Sequence, residues 1–179
     1  GRLSAEKGLR DLPGVLARVR ERVPGAVLAF AGTGPMEAEL RATVPDAVFL
    51  GWLPPERLAD AFAASDLLLL PSWFDTFSCV LLEAMACGLP AVAYDTKGPR
   101  DLILDAVCGF RARSADEMGQ LAADYLTRPR RAATFRRAAV ERAAQFEAPA
   151  IMDSLLENVG LRAATHVAPE TETLARLPD

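Results

Sequence analysis

Histidine, cysteine, basic excess and long apolar runs are all in short supply in this chain. One histidine, His166, and three cysteines, Cys79, Cys87 and Cys108, stand among 179 residues. No Cys or His cluster has metal-ligand spacing and no Asp-x-Asp occurs, so neither a bound metal nor any other cofactor is expected. Three cysteines cannot all pair with one another, and two of them lie in one apolar stretch; they read as buried thiols of a reducing compartment. No apolar run is long enough to span a bilayer and no charged-then-apolar segment opens the chain, which predicts a cytoplasmic protein, at most peripheral to the inner face of a membrane. A formal net charge of −4 argues against a broad nucleic-acid surface. Internal repeats are absent too, as are an initiator Met and a strand before Gly1, which is read as the mark of a piece of something longer.

What is present is the composition of a globular domain, with 51% hydrophobic and 25% charged residues. Its centre is Leu67 to Tyr94, LLLLPSWFDTFSCVLLEAMACGLPAVAY: a buried strand, a polar loop, a short helix and a second buried strand, with Gly88 and Pro90 as the stop between helix and strand. Past its first turn the helix is apolar on every side apart from Glu83, which predicts burial. A buried carboxylate without a local cation needs a hydrogen-bonding partner, and a ligand is the expected one.

Around this stretch, apolar strands alternate with helices. A helix is expected near Pro13 to Val23, a strand at Ala26 to Ala31, a turn at Gly32 to Pro35, a helix at Met36 to Val44, a short strand at Val48 to Leu50, and a helix at Glu56 to Ala64. Lys97-Gly98-Pro99 reads as a loop opening a helix at Arg100 to Leu104, and Gly109 to Arg111 as an edge strand. Continuous apolar strands separated by helices indicate α/β architecture: a doubly wound parallel sheet covered on both faces. Ser114 to Glu117 is a capping-box signature for a helix to Leu126, followed by trailing helices near Arg130 to Phe146 and Pro149 to Leu161. The expected domain runs from 1 to 161, with a loose tail over 162–179.

In such a sheet, ligands bind outside the carboxyl ends of the strands, where loops and helix N-termini converge. The loops leaving these strands are Gly32-Thr33-Gly34, Gly51-Trp52-Leu53, Ser72 to Ser78, and Asp95 to Asp101. Backbone amides at the start of the central helix suit an anion such as a diphosphate. On one helix, Asp75 and Glu83 would lie roughly 12 Å apart along the axis and about 80° apart around it, which suits two ends of one extended ligand better than a shared metal or proton. Blander readings stand beside these: a simple turn for Gly32 to Gly34, a helix cap for Asp75, a distant buried cation for Glu83, and a solvated face rather than anionic lipid for Arg128, Arg130, Arg131, Arg136, Arg137 and Arg142.

The segment DTFSCVLLE, Asp75 to Glu83, resembles the E-x7-E motif of the retaining GT-B glycosyltransferases of family four, and AMACGLP, Ala84 to Pro90, resembles the A-M-A-x-G-x-P that follows it there. GRLSAEKG at the start resembles that family's G-R-L-x-x-x-K-G, and AGTGP its G-x-G-P turn. The resemblance implies the Rossmann-like, nucleotide-sugar (donor) binding half of a GT-B fold, with the acceptor-binding domain absent and the nucleotide-diphosphate sugar as substrate. It implies that Arg2 and Lys7 neutralise the diphosphate, that Asp75 lies by the donor sugar, and that Glu83 binds the ribose hydroxyls. Thr76, Phe77, Ser78 and Cys79 would hold phosphate or sugar, Gly32 and Gly34 would approach the ligand, and Gly51, Trp52 and Leu53 would meet the base. Asp75 is one methylene shorter than the glutamate usual there, and Thr76 and Ser78 replace glycines. A sugar-nucleotide epimerase on a related fold, and a nucleotide-sugar binding module without chemistry, remain as alternatives.

Overall fold

The computed structural model describes residues 1–146. The expected helix at 149–161, the tail and His166 lie outside them. Gly1–Ala144 forms one compact unit and residues 145–179 a second, of which only Gln145 and Phe146 are described.

Helix and strand alternate as the apolar pattern predicts: α1 (Leu12–Arg20), β1 (Ala29–Ala31), α2 (Glu37–Thr43), β2 (Val48–Gly51), α3 (Pro55–Ala63), β3 (Leu68–Leu70), α4 (Cys79–Ala86), β4 (Ala91–Tyr94), α5 (Lys97–Leu102), β5 (Gly109–Ala112), α6 (Ala115–Leu126) and α7 (Pro129–Ala144). Helix α5 begins earlier than the sequence suggests. Lys97, Gly98 and Pro99 are its first turn rather than a loop, because proline lacks only an N–H that the first turn would leave unpaired anyway. At the start of α6 the cap forms as the signature predicts, with Ser114 Oγ accepting the Glu117 N–H at 3.1 Å, while the Glu117 carboxylate reaches one residue past the cap and accepts the Arg113 N–H at 2.7 Å.

Every strand pairing is parallel. The ladder is interrupted, however: β1 pairs with β2 and β3–β4–β5 form a second set, where the strand pattern predicts one continuous sheet. Between their carboxyl ends lies the opening segment. Gly1 N donates to Ala31 O at 2.6 Å, Leu3 N to Thr33 O at 2.9 Å, and Met36 N to Leu3 O at 3.0 Å. On its other side, Ser72 Oγ donates to Glu6 O at 3.5 Å, and a Cβ on Gly8 would collide with the Pro71 carbonyl. Leu69 of β3 packs against the cluster of Leu3, Leu12, Phe30, Met36 and Leu40, so the two ladders share a core without sharing hydrogen bonds.

The helices cover β3–β4–β5 from both sides, as a parallel sheet requires. Val15 and Val19 of α1 and Met118 and Ala122 of α6 close over Val92, Tyr94 and Ala112. On the other side Ala84 of α4 packs with Phe62 of α3 and Leu89, against Leu68. Each fully buried aliphatic side chain in these clusters contributes roughly 1.5–3 kcal/mol. Helix α7 is fastened by two arginines that the sequence places on a solvated face. Arg136 donates to Ser65 O at 2.7 Å and Gly88 O at 3.5 Å, and Arg142 to Leu102 O at 3.0 Å and Asp101 O at 2.6 Å. These carbonyls end α3, α4 and α5, where the helices lack donors of their own and a guanidinium supplies them. Arg137 does pair outward, with Glu141.

Candidate functional site

The carboxyl ends of the strands gather the residues singled out from the sequence. The opening segment brings Lys7 to the loop after β3, and its ammonium lies 3.8 Å from Asp75 Oδ2. Asp75 is therefore not a helix cap. Ser78 occupies that position on α4, and its side chain makes no capping bond. Lys7 and Arg2 both act on Glu6, whose carboxyl sits below its ordinary range first because Ser4 Oγ donates to it at 2.6 Å. Arg2 is exposed on the same segment.

Glu83 is exposed, against the expectation of a buried carboxylate. The physical reason is the stripe it shares with Cys79 and Ala86, four and three residues away. All three are open, while Leu81, Ala84 and Met85 turn into the core. Small residues flanking the glutamate read as apolar in the sequence but leave one face of α4 uncovered. Cys79 is accordingly exposed, Cys87 half-buried and Cys108 alone fully buried, so the expectation of three buried thiols holds for one. The open face of α4 points toward the opening segment. Burial pushes the Gly1 ammonium below its ordinary pKa, the Glu83 carboxylate pulls it back up, and Lys7 pushes it down. Glu83 and Lys7 thus both lie close enough to Gly1 to act on its charge.

Ser78, at the start of α4, is 1% exposed, and its hydroxyl has no partner. A buried hydroxyl without a partner at a helix N-terminus suits a ligand oxygen. Cys79 and Thr76 are exposed beside it, and Phe77 is half-exposed. The glycines of the first turn serve the chain itself. Gly32, at φ 135°, and Gly34 would each drive a Cβ into the backbone of Gly1 or Leu3, so their small size lets the opening segment approach. Gly51, at φ 67°, accepts the Gly32 N–H at 2.7 Å and delivers Trp52, which is 74% exposed, and Leu53 to the same edge.

Three residues here escape the sequence reading. Tyr94, fully buried at the end of β4, stacks on Trp73 with ring centroids 3.9 Å apart and 22° between planes, and its hydroxyl donates to Asp11 Oδ2 at 2.5 Å. Burial first, then that hydrogen bond, raises the phenol well above its ordinary value. A tyrosine closing an all-apolar strand was the available signal, because its hydroxyl must find a partner. The loop of Asp75 is also pinned from α5: Gly98 N donates to Asp75 O at 3.0 Å. No group of three or more His, Cys, Asp or Glu that could hold a metal ion occurs among the described residues. None of the helices among them is long and apolar enough to cross a membrane.

Comparison with known proteins places this geometry. The chain is 36% identical over 176 residues to D-inositol 3-phosphate glycosyltransferase of Mycobacteroides abscessus, covering 88% of this chain and 38% of that protein. It is 38% identical over 110 residues to the GDP-mannose-dependent alpha-mannosyltransferase of Corynebacterium glutamicum, covering 62% of this chain and 25% of that protein. Its fold matches the crystal structure of Anabaena HepE in complex with UDP at a TM-score of 0.77 and 25% identity, over 89% of this chain and 47% of that one. The chain therefore spans less than half the length of these relatives. The model of the family "Glycosyl transferases group 1" matches residues 1–128, and the chain belongs to that family.

Proposed function

We propose that this chain is the donor-binding half of a retaining glycosyltransferase, which moves a sugar from a nucleoside diphosphate to an acceptor in polysaccharide, glycolipid or glycoside synthesis. The observation that carries this reading is that the opening segment brings Lys7 to 3.8 Å from Asp75, in the loop leading to α4, whose start holds the unpartnered Ser78 hydroxyl and whose open face holds Glu83. Two of its relatives are named for glycosyl transfer, and the structure of HepE holds UDP, which supports a nucleotide-sugar as the ligand.

Each residue then has a chemical task. Arg2 and Lys7 neutralise the diphosphate in place of a metal, and most so as charge develops on the departing phosphate. Ser78 and the amides beginning α4 hold a phosphate oxygen. Glu83, reachable and acceptor-only, takes the two ribose hydroxyls. Asp75 faces the sugar, and the Gly51–Leu53 loop faces the base. In the transfer, the bond from C1 of the sugar to the phosphate oxygen breaks, and the acceptor oxygen bonds to C1 on the same face. The acceptor's proton passes to the leaving diphosphate.

Donor binding is tested by thermal melting against UDP, GDP and ADP and their sugar conjugates. At about a hundredfold excess over its dissociation constant, a ligand bound only by the folded state adds roughly 2.7 kcal/mol, which raises the midpoint by roughly 5–11 °C. A rise with one base and not the others is the expected result. No rise with any of them overturns the assignment.

A further inference from the structure

We propose that Tyr94 and Trp73 are positioning residues of this site: stacked on each other, with Tyr94 also bonded to Asp11, they hold the loops of Lys7 and Asp75 in register. The inference rests on reading those loops as the donor site.

Tyr94 ends a strand buried along its whole length and is itself fully buried, so its ring is held by the core. Two loops are built on it. Trp73 stands two residues before Asp75 and lies face to face with the Tyr94 ring. Asp11 closes the turn Leu9–Asp11, four residues after Lys7, and accepts a hydrogen bond of 2.5 Å from the Tyr94 hydroxyl. The charged ends of these loops then meet at 3.8 Å. A long Lys7 side chain reaches many places, so this meeting depends on where its loop starts as well as on mutual attraction.

Trp73 is 46% exposed, and Phe74, Thr76 and Phe77 beside it are exposed as well. The segment has little burial of its own; the stack fixes it at Trp73, and the Gly98 N–H fixes the Asp75 carbonyl two residues on. A half-exposed tryptophan on the face of a buried tyrosine is an expensive residue for a core that already closes over Tyr94 from α1 and α6. Its geometric effect falls on the loop.

The test compares Trp73→Ala, Trp73→Phe and Tyr94→Phe with the parent chain by amide hydrogen exchange, thermal melting, and titration with UDP and GDP. Trp73→Ala is expected to lower protection of the Gly98 amide about tenfold while the melting midpoint stays nearly unchanged. The affinity for whichever nucleotide binds should fall about ten- to a hundredfold, as misplaced groups lose their geometry. Trp73→Phe keeps an aromatic face and restores both readouts. Tyr94→Phe keeps the stack but loses the Asp11 bond, so protection falls at the Asp11 amide and not at Gly98. Unchanged Gly98 protection in Trp73→Ala overturns the proposal, whatever the nucleotides do. If the parent chain binds neither nucleotide, the donor-site reading falls, while exchange at Gly98 still decides whether the stack positions the loop.

Discussion

A carboxylate that is to meet a ligand has to be reachable before the ligand arrives, and Glu83 is. Its role is then separable from stability. Glu83→Gln keeps the shape and removes the charge, so the loss is that of charge-assisted hydrogen bonds, about 1.5–3 kcal/mol or roughly ten- to a hundredfold in nucleotide affinity, with no change in melting temperature. Titration calorimetry reads the first quantity and a melting curve the second; unchanged affinity would remove Glu83 from the site. The sequence put this residue in the wrong environment, because Cys79 and Ala86 count as apolar yet are too small to seal a face. The two tyrosines behave differently. Burial raises the phenol of Tyr94, where Asp11 adds to it, and that of Tyr125, whose hydroxyl is buried without a partner. A group whose pKa is raised on folding contributes stability that is fully present below its unfolded value, about 10, and is lost as pH rises through the folded one. Phenolate absorbance of the native chain is therefore expected to stay low past the pH at which the urea-unfolded chain has titrated, with the protein losing stability over that alkaline window. Ordinary titration of either tyrosine in the folded state would contradict the packing around it.

At the scale of elements, the helices carry the most legible and the least legible features together. The α6 start was readable because a capping box is local: Ser114 and Glu117 find each other three residues apart. The work of α7 was not, because Arg136 and Arg142 reach carbonyls 40 or more residues back in the chain, and nothing in their own spacing separates an inward arginine from a solvated one. Removing that reach is predicted to be costly. Arg136→Ala leaves the Ser65 and Gly88 carbonyls to find water or go unpaired, at about 1–3 kcal/mol, and Arg136→Lys recovers only part because an ammonium cannot fork to both. Urea unfolding measures it, with Arg137→Ala on the exposed side as the comparison expected to change little. Helix α5 offers a subtler change. Gly98→Ala should favour the helix by up to about 1 kcal/mol, yet its Cβ would sit 2.8 Å from the Asp75 carbonyl. The expected variant melts no higher than the parent and binds nucleotide more weakly, since the clash is with backbone and the loop has to give way.

For the molecule as a whole, the strand pattern revealed parallel α/β architecture but not its division into two ladders, since apolar runs such as Leu67 to Leu70 say that a strand is buried and nothing about which neighbour it bonds. What unites the ladders is the segment that also carries Arg2 and Lys7, so fold and site are joined at one place: Gly8 against Pro71 on one side, and Gly32 and Gly34 against Gly1 and Leu3 on the other. This arrangement separates two functions that a whole enzyme would combine. On the proposed reading the donor contacts come from loops within Gly1–Ala144, and the chain spans less than half the length of its relatives. Alone, the chain is expected to bind its nucleotide-sugar and transfer nothing; fused behind the acceptor-binding half of a family relative with the same donor, it should transfer the sugar with its anomeric configuration kept. Proton NMR of the product at the anomeric position reads both points. An inverted product would mean that the acceptor attacks from the face opposite the diphosphate, so that the diphosphate could not take the acceptor's proton, while Arg2 and Lys7 would still stabilise it as it leaves. Transfer by the unfused chain would mean that its own loops, with the exposed Trp52 and Phe74 at their tips, already hold an acceptor.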